Sequence, residues 1–237
     1  MGSAMLSGWL AQGLAAKNIV VIEPQPSDDI RALAAGGVRL NPPAKHIGEV
    51  AALVIALKPQ AFREAGPGLR PYAAPSTLVV SIMAGMTIAS IATVCRGRVV
   101  RAMPNTPAAI GRGITVAVAA KDVVDAQRGA ADALLRATGS VEWVDDEGLM
   151  DAVTAVSGSG PAYIFLLAEE LARETVSGSG ELLHRSELSA ATLRQNVTSP
   201  GGTTAAALEV LMGADGLQSL MTRAVAAATR RSRELAK

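Results

Sequence analysis

Residues 1–25 read MGSAMLSGWLAQGLAAKNIVVIEPQ and predict a helix followed directly by a strand. Apolar side chains recur with the spacing of one helical face at Met5, Leu6, Trp9 and Leu10. Gly13 favours the end of that helix, and the continuous apolar run at residues 18–23 is typical of a strand buried on both faces. A helix followed by a buried strand indicates an α/β domain.

The alternation of strands and helices continues to residue 146. Further strands are predicted at residues 38–40, 51–57, 76–82, 98–103, 114–120 and 140–144. Helices are predicted after Ser27, around Phe62, after Thr87 and over residues 122–137. Strands that alternate with helices in this way usually pair in parallel, with helices on both faces of one sheet. The expected fold class for residues 1–146 is therefore a doubly wound parallel α/β domain.

Residues 147–237 show no strand-like run and predict an all-helical second domain. The segment AYIFLLA at residues 162–168 is apolar on every side, so neighbouring helices or a second chain must cover it. The final helix carries an apolar stripe opposite its arginines, which indicates a core or a dimer contact: Leu217, Leu220, Met221, Ala224, Val225 and Ala228.

Composition favours a small-molecule partner. The net charge of +1 suggests no nucleic-acid surface, and no apolar run is long enough to span a membrane. Cys95 is the single cysteine, and His46 and His184 have no metal-ligand spacing, so we expect no disulfide and no metal site. A reducing compartment follows, and we expect the protein in the cytoplasm.

Three stretches predict a dinucleotide site at the carboxyl edge of the sheet, where doubly wound domains bind such ligands. Gly2 matches only the last glycine of a G-x-G-x-x-G turn, and a helix cap by Ser3 is the alternative. The motif ALKPQ places Ala56, Lys58 and Pro59 directly after a strand, although a surface lysine would look the same. Asn105 lies between the two prolines of RAMPNTP (101–107), so its amide could hold a carboxamide ring or belong to an ordinary turn.

A second ligand site is predicted at VTSPGGTT (197–204), directly before a helix. The first N–H groups of a helix have no partner within it, and the helix dipole is positive there. Gly201 and Gly202 would let an anion approach the backbone closely. The stretch indicates a site for a small carboxylate or phosphate, with a turn that binds nothing as the alternative.

In this order, ALKPQ, RAMPNTP, AVSGSGPAYIF, NVTSPGGTT and TRRSREL resemble the pyrroline-5-carboxylate reductases of proline biosynthesis. The resemblance runs over nearly the whole chain, and five motifs in register are far more specific than any one of them. It implies reduction of 1-pyrroline-5-carboxylate to L-proline with hydride from NADPH or NADH. It also implies an N-terminal Rossmann domain and a helical C-terminal domain that interlocks with its partner's to form dimers and often larger rings.

The same resemblance assigns roles to residues. It implies that Lys58, Pro59 and Asn105 lie along the nicotinamide half of the cofactor.

On the substrate side, the resemblance implies that backbone N–H groups of Gly201, Gly202 and Thr203 bind the substrate carboxylate and that Thr204 hydrogen-bonds the ring nitrogen. Glu187 falls where the family often has an acidic residue near the substrate. A helix first-turn charge after a Ser186 cap is an equal alternative for it.

The chain departs from the family pattern in two places. Family members begin with an apolar strand and a glycine-rich turn, so we expect a central strand of the sheet to be missing and its two neighbours to lack a partner. The passage around residues 166–187 is shorter than in the family. Either residues are absent there, or the two helices are fused into one that contains Gly178 and Gly180.

The chemistry suits the assignment, because the substrate can bring its own proton as an iminium and needs no acid–base dyad. Glu23 ends the second strand of the expected fold, where a carboxylate favours the ribose hydroxyl of NADH over the phosphate of NADPH. The family commonly prefers NADPH, so the resemblance points the other way and the choice between the two cofactors stays open. The alternatives are a related hydroxyacid dehydrogenase, an imine reductase, or an inactive truncated homologue that serves only as an oligomeric scaffold. A dehydrogenase of that kind would place a lysine on the helix AYIFLLAEE, which has none.

Overall fold

A computed structural model describes residues 1–235. The chain opens with helix α1 (Gly2–Ala11), which ends before Gly13, a glycine with a positive φ of 90°. Strand β1 (Val20–Val21) is shorter than predicted, because residues Ala16–Asn18 form a 3₁₀ turn in front of it. It pairs in parallel with β2 (Arg39–Leu40).

The main sheet has five strands in the order β3-β4-β5-β6-β7. Their bounds are Ala52–Ile55, Leu78–Ser81, Arg98–Met103, Gly113–Ala119 and Gly139–Trp143. The prediction of a wholly parallel sheet is wrong at one pair, since β6 runs antiparallel to β5. Only residues 104–112 join these two strands, and a parallel connection needs a longer crossover.

The β1-β2 pair forms a separate two-stranded sheet, so β1 and β3 each lack one strand neighbour within the described chain. Helix α1 packs on both sheets and joins them. Its Met5 lies in the core of the five-stranded sheet, its Leu6 lies in the cluster around β1 and β2, and Trp9 contacts both. Trp9 also donates from Nε1 to the carbonyl oxygen of Leu134 at 2.7 Å, which fixes α1 against the helix Asp125–Arg136 that covers the main sheet.

Four more helices cover the sheets: α2 (Asp28–Ala35), α3 (Pro59–Ala65), α4 (Ile88–Ala92) and α5 (Asp125–Arg136). The predicted caps are confirmed. Ser27 Oγ accepts from the Ile30 N–H at 3.4 Å, and Thr87 Oγ1 accepts from the Ser90 N–H at 3.1 Å. Such caps satisfy N–H groups that the first turn of a helix leaves without a partner.

The rest of the described chain is helical, as predicted. It begins with α6 (Met150–Val153), continues as a π-helical turn over Thr154–Gly158, and then forms α7 (Gly160–Glu170) and α8 (Arg173–Arg185). It ends with α9 (Ala190–Asn196), α10 (Thr203–Leu211) and α11 (Leu217–Leu235). A fused helix is wrong, because Leu171 and Ala172 are extended and separate α7 from α8; Gly178 and Gly180 lie within α8.

Many large apolar side chains of the helical part are exposed in a single chain. Phe165 on α7 is 62% exposed and Val210 on α10 is 76% exposed, and Leu217 and Leu220 of the predicted stripe on α11 are also exposed. An apolar surface of this extent is typical of a protein–protein contact. The helical part therefore has the surface of a domain that packs against another chain.

Asp132 on α5 is expected to stabilise the fold through two side-chain hydrogen bonds. Asp132 accepts hydrogen bonds from Arg136 Nε at 2.6 Å and from Trp143 Nε1 at 3.0 Å, and the Arg136 contact above all lowers the pKa of its carboxyl. A carboxyl with a lowered folded-state pKa stabilises the fold above its unfolded pKa and loses that contribution as the pH falls through the folded pKa. We expect Asp132→Asn to reduce the free energy of unfolding by about 0.5–1 kcal/mol at neutral pH, since the pair is partly solvated. Urea unfolding should show the difference shrinking in acid; a difference that is constant with pH would contradict this role.

Candidate active site

The start of α1 meets the carboxyl end of β3. A Cβ added at Gly2 would lie 3.1 Å from the Cβ of Ala56, so the glycine permits this close approach. The expected alternative of a cap by Ser3 is wrong, because the N-cap is Met1 and no side chain caps the helix. The first N–H groups of α1 are therefore free beside Ala56, and α1 also packs against the turn Thr106–Ile110. Free N–H groups at a helix start are the part of a dinucleotide site that binds phosphate.

Lys58 and Pro59 lie at the same edge of the sheet. Lys58 is the exposed N-cap of α3, and Pro59 occupies the first turn of that helix. Within residues 1–235 no ion pair involves the Lys58 ammonium group. A cation without an ion-pair partner, two residues after Ala56 in the chain, fits an anionic ligand at this edge.

Asn105 is held in place by the protein. Its Oδ1 accepts from the Ile114 N–H at 3.0 Å, and its Nδ2 lies 3.5 Å from Ser157 Oγ. The first contact fastens the loop to β6, and the second joins it to the helical part. One amide hydrogen of Asn105 remains available for a ligand.

Asn105 has partners in the helical part that the sequence does not predict. The π-helical turn Thr154–Gly158 carries Ser157, and the Tyr163 hydroxyl donates to the carbonyl oxygen of Ala155 at 3.0 Å. Gly158 packs against Met103, and a Cβ added at Gly158 would require the terminal methyl group of Met103 to move. Short π-helical turns are frequent at functional sites, and the break SGSGP was the available signal for this one.

The glycine pair leads into α10, as predicted. Gly201 has a positive φ of 67°, and Gly202 is the N-cap without a side-chain cap. The Gly202 N–H is not free, however, because it donates to the carbonyl oxygen of Ser199 at 3.0 Å. The free N–H groups of this helix start are those of Thr203, Thr204 and Ala205, since the next one, on Ala206, bonds to the Gly202 carbonyl.

Two predicted features of the substrate side are not brought to the sheet edge within one chain. No hydrogen bond or ion pair in residues 1–235 joins the start of α10 to Asn105, Lys58 or the start of α1. Glu187 is exposed between α8 and α9. The alternative of a first-turn charge after a Ser186 cap is wrong, because Ser189 is the residue that caps α9.

Two observations concern other kinds of chemistry. Residues 1–235 contain no group of three metal-ligating side chains, and burial raises the pKa of the Cys95 thiol, which disfavours a thiolate nucleophile. No helix within that range is apolar over a bilayer-spanning length.

A sheet edge with a free helix start, joined to a helical part with exposed apolar faces, fits the class of Rossmann-type NAD(P)-dependent oxidoreductases with a dimerisation domain. Models of two families match: "NADP oxidoreductase coenzyme F420-dependent" over residues 1–85, and "Pyrroline-5-carboxylate reductase dimerisation" over residues 147–173 and 167–235. The pyrroline-5-carboxylate reductase of Pseudomonas aeruginosa is 39% identical, over all of this chain and 93% of its own length. The chain belongs to the pyrroline-5-carboxylate reductase family.

Two solved structures agree with this assignment. The pyrroline-5-carboxylate reductase of Coxiella burnetii has a TM-score of 0.87 and 32% identity, over all of this chain and 95% of that one. The Plasmodium falciparum pyrroline carboxylate reductase, solved with NADP bound, has a TM-score of 0.83 and 26% identity over the same shares. These findings confirm the predicted family, the enzyme class and NADPH or NADH as the cofactor, and they go against the hydroxyacid dehydrogenase alternative.

The comparisons also bear on the shortened helical passage. The alignment with the Pseudomonas relative spans 258 positions, more than the 237 residues of this chain, so the relative has residues that this chain lacks. The two matches to the dimerisation family meet at residues 167–173, where α7 ends and α8 begins. The shorter passage predicted from the sequence is thus a direct connection between these two helices.

Proposed function

We propose that this chain reduces 1-pyrroline-5-carboxylate to L-proline at a site formed by the sheet edge of one subunit and the start of α10 of another. The observation that carries the proposal is the pair of free helix starts. That of α1 lies beside Ala56 and suits a dinucleotide phosphate, and that of α10 suits a small carboxylate. A reaction between a dinucleotide and a small imino acid needs both.

On the cofactor side, Gly2 and Ser3 would hold phosphate through backbone N–H groups, and Lys58 would add a positive charge. Ala56, Pro59 and Asn105 would line the nicotinamide half. When bound, NADPH or NADH supplies the hydride that reduces the imine carbon. The chain's own residues bind it and orient it.

On the substrate side, the N–H groups of Thr203, Thr204 and Ala205 would receive the carboxylate, with Gly201 and Gly202 keeping the approach open. The Gly202 N–H can join them only if its bond to Ser199 opens. The Thr204 hydroxyl would then hydrogen-bond the ring nitrogen. Glu187, exposed and free of a helix, could face the substrate from the loop after α8.

Self-association would bring the two halves together. The dimerisation domain supports association of the chain with itself, and the exposed apolar side chains of α7, α10 and α11 supply the surface. We propose a dimer in which α10 of one subunit covers the sheet edge of its partner, with larger rings built from such dimers.

Catalysis by this arrangement is chiefly positional. The substrate enters as an iminium, so it already carries the proton that the nitrogen needs, and no strong acid is required. Holding the two reacting carbons in contact and in line can remove several kcal/mol from the barrier, on the order of 7 or more in favourable cases. Binding of the substrate carboxylate at the start of α10, and of the nicotinamide by the loop that carries Asn105, would provide that alignment.

We further propose a preference for NADH. Asn41, which has a positive φ of 48°, bonds to both the N–H and the carbonyl oxygen of Glu23 and so holds Glu23 at the end of β1. One carboxylate oxygen of Glu23 accepts from the Gln25 N–H, which leaves the other for a ribose hydroxyl. A carboxylate there would repel the extra phosphate of NADPH.

The test is oxidation of NADH and NADPH by the purified protein with 1-pyrroline-5-carboxylate, together with cofactor binding followed by fluorescence. We expect substrate-dependent oxidation with both cofactors and a higher kcat/KM with NADH. Binding without oxidation would remove the reductase activity. If neither cofactor binds, the inactive scaffold is the correct alternative. The cytoplasmic location stays a prediction, which cell fractionation tests.

A further inference from the structure

The two parts of the chain are joined along one face of β5 and its extension. Arg101, Met103 and Asn105 alternate along the extended chain, so their side chains lie on the same side. Each contacts the segment 147–158: Arg101 contacts Glu147, Met103 contacts Gly158, and Asn105 contacts Ser157. The motif RAMPN is thus the seam between the sheet and the helical part.

Arg101 is the buried member of this seam. Arg101 is only 4% exposed, and its Nη1 donates to Glu147 Oε1 at 3.0 Å. The same Glu147 oxygen accepts from the N–H of Ile88 at 2.8 Å, at the start of α4. Glu147 therefore holds β5 and α4 together from the helical side.

The second carboxylate near Arg101 extends the network to the end of the chain. Asp151 Oδ1 lies 4.0 Å from Arg101 Nη2 and accepts from the Ser232 hydroxyl at 2.7 Å. Asp151 Oδ2 lies 3.6 Å from Arg233 Nε. Two motifs that lie far apart in the sequence, RAMPN near its middle and TRRSREL near its end, thus meet at one carboxylate.

We propose that Arg101 is a positioning residue, which with Glu147 and Asp151 sets the distance between the Asn105 loop and the helical part. Arg101 is four residues from Asn105 on the same face, and it has no place in the reaction itself. A lysine cannot reproduce the two-pronged contact of a guanidinium. Because the alignment of reacting atoms depends on small distances, a shift along this seam slows hydride transfer. Cofactor affinity stays, because the proposed phosphate contacts lie elsewhere, at the start of α1 and at Lys58.

The proposal rests on the proposed function, and single-turnover kinetics test it separately. Enzyme loaded with NADH or NADPH is mixed with saturating 1-pyrroline-5-carboxylate, and the rate constant and the amplitude are read from the same trace. We expect Arg101→Lys to lower the rate constant about 10- to 100-fold with an unchanged amplitude and an unchanged cofactor Kd. A merely structural role would lower the amplitude, through loss of folded protein, and leave the rate constant alone.

The matched control is Arg112→Lys. Arg112 also joins the two parts, through Glu181 at 2.9 Å, but this pair is exposed and, within residues 1–235, shares no hydrogen bond or ion pair with Arg101, Glu147 or Asp151. We expect the wild-type rate constant for it.

If Arg101→Lys does not fold, Ser232→Ala weakens the same network from α11, and we expect a rate constant about fivefold lower. Wild-type rate constants in the folded Arg101 or Ser232 variant would overturn the proposal. No oxidation by the wild-type protein would instead overturn the proposed function.

Discussion

Replacing Thr204 with alanine should lower the turnover of 1-pyrroline-5-carboxylate about 10- to 100-fold, because a hydrogen bond to a charged group contributes about 1.5–3 kcal/mol. Thr204 lies in the first turn of α10, where a threonine hydroxyl is not needed as the cap, since Gly202 occupies that position. The variant should therefore fold normally. Its Kd for NADH or NADPH should equal that of the wild type, because the cofactor contacts lie on the other domain.

Two neighbouring substitutions make the result specific. Thr204→Ser keeps the hydroxyl and should retain most of the turnover. Thr203→Ala removes an exposed hydroxyl one residue away, while its backbone N–H stays in place. This variant should therefore keep the wild-type turnover. Steady-state kinetics with varied substrate and cofactor measure all three. An unchanged kcat in Thr204→Ala would remove this hydroxyl from the mechanism.

Much of the fold is visible in local patterns. Ser27 and Thr87 cap helices where the sequence indicates, and the apolar runs at residues 51–57 and 76–82 contain β3 and β4. These elements are specified by side chains within a few residues of each other. Strand direction is not specified locally in this way, because the antiparallel pairing of β6 depends on how the turn Thr106–Ile110 folds back.

The site was predictable only in part, because its contacts join distant residues. The motif RAMPNTP is conspicuous for its two prolines, yet the role of Arg101 depends on carboxylates some 50 residues further on, at Glu147 and Asp151. Local sequence carries no sign of that pairing. The same holds for the Gly202 N–H: the glycine pair indicates an anion site, but the bond to Ser199 exists only in the folded turn.

If the site is shared between subunits, two inactive variants should restore activity to each other in a mixed dimer. Ala56→Asp puts a carboxylate at the exposed end of β3, where it should repel a dinucleotide. Thr204→Asp puts one at the start of α10, where it should repel the substrate; an acidic residue in a helix first turn is itself stabilising, so α10 should form. Each variant alone should be nearly inactive and fully folded.

Coexpression of the two variants with different tags, followed by purification on both tags, gives mixed dimers. If each site uses the sheet edge of one subunit and α10 of its partner, one of the two sites in a mixed dimer carries both substitutions and the other carries neither. The activity should then recover to about half of the wild-type value. If each site is formed by one chain, every site carries one substitution and the mixed dimer stays inactive.

The reverse arrangement provides the control, with both substitutions in one chain and a wild-type partner. A shared site then places one substitution in each site, so this dimer should be inactive, whereas sites within single chains would leave about half of the activity. The two arrangements contain the same substitutions in the same number, so a general loss of stability affects both equally. Activity in the first and none in the second can arise only if α10 acts on the sheet edge of another subunit.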